Sequence, residues 1–117
     1  MPDLTELQER IRNFASERDW EQFHTPKNLS MALAGEVGEL LEVFQWLTPE
    51  QSQDLDVRTK ERASEEMADV FIYLLRLADI LEIDLTSAAR DKIESNAERY
   101  PVEKAKGSAR KYSDLPQ

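Results

Sequence analysis

Two pairs of carboxylates are the residues of this chain most able to do chemistry. Glu36 and Glu39 are three residues apart in one segment, and Glu66 and Asp69 repeat that spacing in a second segment. Both segments are predicted to be helical, and side chains three residues apart lie on the same side of a helix. Carboxylate oxygens are the ligands that hard cations such as Mg²⁺ or Mn²⁺ prefer. The residue types therefore predict a metal site.

The placement of these acids, more than their spacing, sets them apart. Other acidic pairs with the same spacing fall mainly on polar faces, among them Asp79/Glu82 and Asp91/Glu94. By contrast, Glu36 lies within the apolar stripe of its helix, Glu39 lies at the edge, and Glu66 borders the stripe of the second helix. Ionised carboxylates near a core are costly unless they are paired or bind a metal. Salt bridges to buried lysines or arginines are the alternative that this pattern leaves open.

The segments that carry the acids belong to an all-helical pattern. The chain has 117 residues with three glycines and five prolines, and it shows no alternating strand pattern. Its length suggests one domain, and four or five helices account for most residues. We predict a first helix capped by Asp3 that fades near Trp20, then helices at about 27–47 and 58–81, then a helix capped by Asp84 that ends near Tyr100. The predicted fold class is an all-α, four- to five-helix bundle with acids facing inward.

Apolar residues at helical spacing predict the buried faces of these helices. The predicted stripes are Leu4, Leu7, Ile11 and Phe14 on the first helix, Leu29, Leu33, Leu40 and Leu47 on the second, and Ala63, Val70, Leu74, Leu77 and Leu81 on the third. The second half of the third helix is apolar on most sides. Such a helix is typical of the centre of a bundle or of an interface between chains.

Polar residues on the fourth helix add a second chemical signal. Lys92, Asn96 and Arg99 follow one another at helical spacing on the stripe predicted to face inward. A lysine and an amide beside a metal–carboxylate cluster are suited to binding a polyphosphate. Tyr73, one turn beyond Asp69, is placed to donate to a phosphate oxygen. The alternatives are that Lys92 neutralises the acids or extends to solvent, and that Tyr73 is a core residue.

Aromatic residues near helix ends give a third signal. Trp20, Phe23, His24 and Trp46 fall there, and two tryptophans could clamp a planar base, since base stacking contributes roughly 1–3 kcal/mol. Core or interface packing is the alternative for each tryptophan. Glu21 and His24 match one fragment of a carboxylate-bridged di-iron site, but those bundles need two such motifs on helices. We therefore predict no di-iron centre.

Composition excludes several other functions. The net charge of −9 argues against nonspecific binding to nucleic acid or to anionic membranes. The absence of cysteine excludes disulfides, thiolate zinc sites and cysteine nucleophiles. Arg76 and Asp79 interrupt the longest apolar run, and the N-terminal segment shows no signal-peptide pattern. We expect a cytoplasmic protein with no nucleic-acid or membrane partner.

Several strings of residues resemble one family in order and spacing. They are FHTPKNL at 23–29, GEVGEL at 35–40, EEMADVFIYL at 65–74 and KIESN at 92–96. These strings resemble the MazG-like all-α nucleoside triphosphate pyrophosphohydrolases, and RKYSDLP at 110–116 is similar to the tail of the dCTP pyrophosphatase branch. The resemblance spans about residues 7 to 116.

The resemblance implies an activity and a set of site residues. Members of the family cleave a nucleotide between its α- and β-phosphates, giving a monophosphate and pyrophosphate. The implied metal and catalytic residues are Glu36, Glu39, Glu66 and Asp69. The implied phosphate and sugar contacts are Tyr73, Lys92, Asn96 and Arg99, and the implied base pocket is Trp20, His24 and Trp46. The resemblance also implies a homo-oligomer, either a dimer or, as we expect, a dimer-of-dimers tetramer, whose sites combine more than one chain.

These expectations define the function to be tested. We predict Mg²⁺-dependent hydrolysis, with Mn²⁺ as an alternative ion, of dCTP or a modified dCTP in sanitation of the nucleotide pool. Residues 1–101 would form the helical catalytic domain, and residues 102–117 would form a basic, partly ordered tail. One alternative is a related enzyme that acts on dUTP or other non-canonical nucleotides. Another is a non-enzymatic helical oligomer with salt-bridged inward carboxylates.

Overall fold

The computed structural model describes residues 4–116, and the regular structure in that range is helical. The described residues form two compact units, 4–83 and 84–116. The predicted all-α class is confirmed for this part of the chain. The predicted functional division at residue 101 stays a prediction.

The first unit contains four α-helices and a short 3₁₀ turn. The helices are α1 (Leu4–Glu17), α2 (Pro26–Phe44), α3 (Pro49–Ser52) and α4 (Val57–Ile80), and the 3₁₀ turn at Glu21–Phe23 precedes α2. The second unit contains α5 (Leu85–Arg99), α6 (Val102–Ala105) and a 3₁₀ turn at Tyr112–Asp114. None of the helices in the described part of the chain combines the length and apolar character that a membrane span requires.

Side-chain caps determine where the longer helices begin. The Thr25 hydroxyl accepts a hydrogen bond from the Asn28 N–H at the start of α2, and Pro26 occupies the first helical position. Asp56 caps α4 in the same way. Asp84 accepts from the Ser87 N–H at the start of α5, which confirms the cap predicted there. The cap predicted at Asp3 lies outside the described residues.

The core of the first unit forms where α2 and α1 pack against α4. The helices α2 and α4 are antiparallel, since Leu29 near the start of α2 shares a cavity with Tyr73 late in α4, while Leu40 shares a groove with Ser64. The apolar residues buried in this unit are Ala15, Leu29, Val43, Ala63, Leu75 and Ala78. Small alanines from two of the three helices allow close approach of the backbones.

Two members of the predicted stripes are exposed instead. Phe14 is 49% exposed, and its ring packs edge-to-face on Trp20 and beneath the Arg18 guanidinium, because its neighbour Ala15 is the residue that this turn of α1 buries. Leu81 is 47% exposed because α4 ends at Ile80, and the backbone turns away through a left-handed Glu82 with φ of 55°. The predictions that Phe14 and Leu81 are buried were therefore wrong, and both residues lie close to the end of a helix.

An apolar groove of about 490 Å³ lies along the first unit between α2 and α4. Its lining is Leu40, Ser64, Met67, Ala68, Val70, Phe71 and Leu74. Met67 and Phe71 are exposed, which agrees with the prediction that the second half of this helix is apolar on most sides.

Candidate active site

Four carboxylates converge where α2 and α4 pack together. One oxygen from each of Glu36, Glu39, Glu66 and Asp69 lies within 4.8 Å of the others. Glu36 and Glu66 are half-buried, whereas Glu39 and Asp69 are exposed. The repeated three-residue spacing thus places two acids from each helix on the facing sides of an antiparallel pair.

The electrostatics of this cluster are unfavourable for four negative charges. Burial, together with hydrogen bonding and repulsion from Glu39, raises the pKa of Glu36 to about 7. Burial and Glu39 likewise raise the pKa of Glu66. One oxygen of each of these two glutamates, Oε2, is buried with no hydrogen-bond partner. Buried polar atoms of this kind are uncommon and point to a missing partner.

A cation fits this donor set better than a salt bridge does. Within residues 4–116, the ion pairs involve Asp79 and Glu17 as acids, and none includes a member of the cluster. Four carboxylates offer a set of hard oxygen donors, as Mg²⁺ or Mn²⁺ requires. A divalent ion would bind the orphaned oxygens of Glu36 and Glu66 and would oppose the repulsion that raises their pKa values.

An aromatic cavity of about 360 Å³ lies one helical turn from the acids. It is lined by Trp20, Phe23, His24, Asn28, Leu29, Ala32 and Tyr73. Ala32 precedes Glu36 by four residues on α2, and Tyr73 follows Asp69 by four residues on α4. Four residues rise about 6 Å along a helix, so both helices lead directly from the carboxylates to the cavity.

His24 lies in this cavity with a defined ring orientation. Its Nδ1 accepts a hydrogen bond of 3.1 Å from Nε of Arg76, and its ring meets Trp20 at 62° with centroids 6.5 Å apart. Burial and the neighbouring Arg76 charge lower the pKa of His24. An imidazole that accepts at Nδ1 carries its proton at Nε2.

Sequence reasoning missed several residues here. Asn28 and Ala32 line the cavity, and the Asn28 amide also donates to the Phe23 carbonyl oxygen at 3.1 Å. Asn28 lies within a string that carried the family resemblance, so that string was the available signal. In the sequence, Arg76 is recognisable only as a charge that interrupts an apolar run.

Trp20 and Trp46 do not meet within one chain. Trp20 lines the cavity before the start of α2, whereas Trp46 follows the end of that helix and is 85% exposed. The 19 residues of α2 rise roughly 28 Å. Trp20 and Trp46 of the same chain therefore do not form the clamp, and a clamp that combines two chains stays a prediction.

The predicted phosphate-binding residues of α5 belong to the second unit. Lys92, Asn96 and Arg99 are all exposed, so the prediction that Lys92 and Asn96 face inward was wrong for the chain alone. The helix has few large apolar side chains, and Ile93 is itself 68% exposed, so its sequence defines no strongly buried face. The Arg99 guanidinium lies over the Tyr112 ring, 5.0 Å from its centroid.

Fold and site together define an all-α protein with a four-carboxylate cluster that could hold a metal ion beside an aromatic cavity. A family model described as MazG-like matches residues 32–115, and the chain belongs to that family. It is 49% identical to dCTP pyrophosphatase 1 of Rattus norvegicus and 47% identical to dCTP pyrophosphatase 1 of Homo sapiens. Each alignment covers 98% of this chain and 69% of the relative.

A solved structure supports the same assignment. A pyrophosphatase from Archaeoglobus fulgidus DSM 4304 superposes with a TM-score of 0.81 at 41% identity, covering 86% of this chain and 94% of that one. The chain is thus an enzyme of the nucleoside triphosphate pyrophosphohydrolase class. This confirms the predicted family and enzyme class and argues against the non-enzymatic oligomer.

We expect Mg²⁺ to stabilise the protein through the carboxylate cluster, and more strongly at pH 8 than at pH 6. A raised carboxyl pKa in the folded state means that stability falls as pH rises from about 4.5 to 7 without the ion. At pH 6 the ion competes with the proton on Glu36. At about one hundred times its dissociation constant the ion adds about 2.7 kcal/mol, or roughly 10 °C in Tm. Calorimetry with Mg²⁺ and with EDTA at both pH values measures this.

The double variant Glu36→Gln/Glu66→Gln is the control for this stabilisation. It removes two charges and leaves the shape of the cluster, so its Tm should be insensitive to Mg²⁺. A wild-type Tm that Mg²⁺ leaves unchanged at pH 8 would contradict a metal site at these residues.

Proposed function

We propose that this enzyme hydrolyses a pyrimidine deoxynucleoside triphosphate, preferentially dCTP or a modified dCTP, to the monophosphate and pyrophosphate. The observation that carries the proposal is the cavity of aromatic residues one helical turn from the four-carboxylate cluster on both α2 and α4. That separation suits a nucleotide whose base occupies the cavity and whose phosphates extend to the acids. The names of the rat and human relatives, both dCTP pyrophosphatase 1, support dCTP as the substrate. Sanitation of the nucleotide pool in the cytoplasm is the role we propose.

In this proposal Glu36, Glu39, Glu66 and Asp69 hold Mg²⁺. The bound ion would neutralise phosphate oxygens and lower the pKa of the attacking water. Phosphoryl transfer depends mainly on positioning and charge neutralisation, which a rigid pair of helices supplies. The water oxygen bonds to the α-phosphorus and its proton passes to a carboxylate of the cluster or to solvent, while the bond from that phosphorus to the bridging oxygen breaks in line and releases pyrophosphate. The Tyr73 hydroxyl, one turn from Asp69, donates to a phosphate oxygen.

The base pocket is completed in a homo-oligomer. Trp20 and His24 line the cavity of one chain, and Trp46 is exposed at the far end of α2, where it is available to a neighbouring chain. The apolar groove along α4 gives a surface for such a contact. We propose a dimer or a dimer-of-dimers tetramer, in which Lys92, Asn96 and Arg99 contact the phosphates and sugar.

Pyrophosphate release from each deoxynucleoside triphosphate tests the reaction and the substrate together. We expect release to be fastest with dCTP or 5-methyl-dCTP, to require Mg²⁺ and to stop with EDTA, because the cavity is aromatic and the acids need a cation. Fastest release from dUTP would support the alternative substrate predicted from the sequence. Release of orthophosphate alone would contradict cleavage between the α- and β-phosphates.

Removing one charge from the cluster should stop catalysis without unfolding the chain. Glu66→Gln or Asp69→Asn is expected to lower kcat at least about 100-fold, since metal-assisted charge stabilisation contributes several kcal/mol. Glu42→Gln is a matched control on α2, because Glu42 is exposed and is not part of the cluster. Circular dichroism should show unchanged helicity in all three variants. Full activity in Glu66→Gln would remove the four-carboxylate model.

Stacking on Trp20 should appear in substrate affinity. Trp20→Ala is expected to raise KM for dCTP by about fivefold to 150-fold, corresponding to roughly 1–3 kcal/mol of lost stacking. The effect on kcat should be small, because Trp20 lines the cavity and is not one of the four acids. Steady-state kinetics on both variant and wild type measure this, and an unchanged KM would exclude Trp20 from base binding.

A further inference from the structure

A chain of polar contacts runs from the surface of the first unit to the aromatic cavity. At the surface, Nε and Nη2 of Arg12 donate to the two carboxylate oxygens of Asp79 at 2.9 and 2.7 Å. Nη1 of Arg76 also donates to Asp79, at 3.4 Å, and Nε of Arg76 donates to Nδ1 of His24 at 3.1 Å. The network thus joins α1, α4 and the loop before α2 through three charged side chains and one imidazole.

Arg76 is the unexpected member of this network. It is only 4% exposed, and burying a guanidinium is costly unless its contacts compensate for the lost hydration. Asp79 does not require Arg76 as a counter-ion, because Arg12 already binds both of its oxygens. What Arg76 adds is a directed N–H bond to one nitrogen of a ring that lines the cavity.

We propose that Arg76 is a positioning residue that fixes the orientation and tautomer of His24, so that Nε2–H is the single donor that the ring offers to the base. This inference rests on the proposed function, in which the cavity holds a pyrimidine. With Nδ1 occupied by Arg76, the ring presents Nε2–H to an acceptor on the base, a carbonyl oxygen or an unprotonated ring nitrogen. Without Arg76, a neutral imidazole can carry its proton on either nitrogen, and the hydrogen-bond pattern is no longer fixed.

The charges around His24 keep this arrangement across neutral pH. Burial and the Arg76 charge from α4 lower the pKa of His24, whereas Glu21 in the 3₁₀ turn acts in the opposite direction. Asp79 pairs with both Arg76 and Arg12, and the other residues that line the cavity, none of them charged, are Trp20, Phe23, Asn28, Leu29, Ala32 and Tyr73. The ring is therefore neutral at neutral pH. Its Nε2–H is a free donor, and its Nδ1 accepts the hydrogen bond from Arg76.

The single histidine of the chain makes the proposal directly measurable. A long-range ¹H–¹⁵N spectrum of the labelled 117-residue chain, without a histidine tag, contains one imidazole. We expect the Nε2–H tautomer in the wild type from pH 6.5 to 8, and a scalar coupling between Arg76 Nε and His24 Nδ1 across their hydrogen bond. These two observations need no variant.

Arg76→Met is the variant that separates positioning from structure. It removes a buried charge while Asp79 keeps Arg12 as its partner, so no uncompensated ion is left behind. We expect a mixture of tautomers, a higher His24 pKa, and a rise in KM for dCTP of roughly threefold to tenfold with kcat within about twofold, as for one lost hydrogen bond.

Arg76→Lys should keep part of the pKa shift but lose the single tautomer. Arg10→Met, at an exposed position of α1, is the control and should change none of these.

The outcomes distinguish this inference from the function on which it rests. A wild-type ring protonated at Nδ1, or an Arg76→Met ring that keeps the wild-type tautomer and pKa, would overturn the positioning role even in a fully active enzyme. A lost tautomer with unchanged KM would overturn the link from Arg76 to base binding. A wild type that hydrolyses no deoxynucleoside triphosphate would refute the proposed function, while the ring spectrum would still report whether Arg76 sets the tautomer.

Discussion

Four carboxylates held within 4.8 Å repel one another, and the packing of α2 on α4 keeps them together. Leu29 and Leu75 are fully buried on these two helices, and Ala63 and Ala78 allow the helices to approach closely. Apolar burial of this kind offsets a local electrostatic cost, because the hydrophobic gain is spread over many side chains while the repulsion is confined to one cluster. The fold thus maintains a cluster of charge that the acids alone would not form.

The same helix pair fixes the relation between the two halves of the site. Glu36 is one turn from Ala32 on α2, and Asp69 is one turn from Tyr73 on α4, so the acids and the cavity cannot move apart without bending a helix. A site built on helices is more rigid than one built on loops, and phosphoryl transfer depends on such positioning. Only Trp20, Phe23 and His24 come from the connecting segment, and the Arg76 and Asn28 hydrogen bonds hold that segment in place.

Helical periodicity made much of this site predictable from the sequence. The predicted helices at 27–47 and 58–81 correspond to α2 (Pro26–Phe44) and α4 (Val57–Ile80), and the four acids converge as their spacing on facing stripes indicated. Periodicity could not show which end of α2 lies near the cavity, which is why Trp20 and Trp46 do not meet within one chain. It also could not show the role of Arg76, whose bond joins residues 52 positions apart, or that of Asp79, whose partner Arg12 is 67 positions away. Such contacts depend on how the helices pack.

Two acidic residues of α4 have opposite surroundings: one is paired with arginines and the other is not. The contrast explains how one helix serves both stability and function. Near its end, Asp79 is bound by two arginines, and Arg12 lowers the pKa of that carboxyl. Near its middle, Glu66 has a raised pKa and a buried oxygen without a hydrogen-bond partner. Arg76 is seven residues, about two turns, from Asp69 and bonds to Asp79 and His24 instead. An arginine placed at the cluster would neutralise the acids and compete with a cation for their oxygens, so its absence there costs stability that a bound cation would restore.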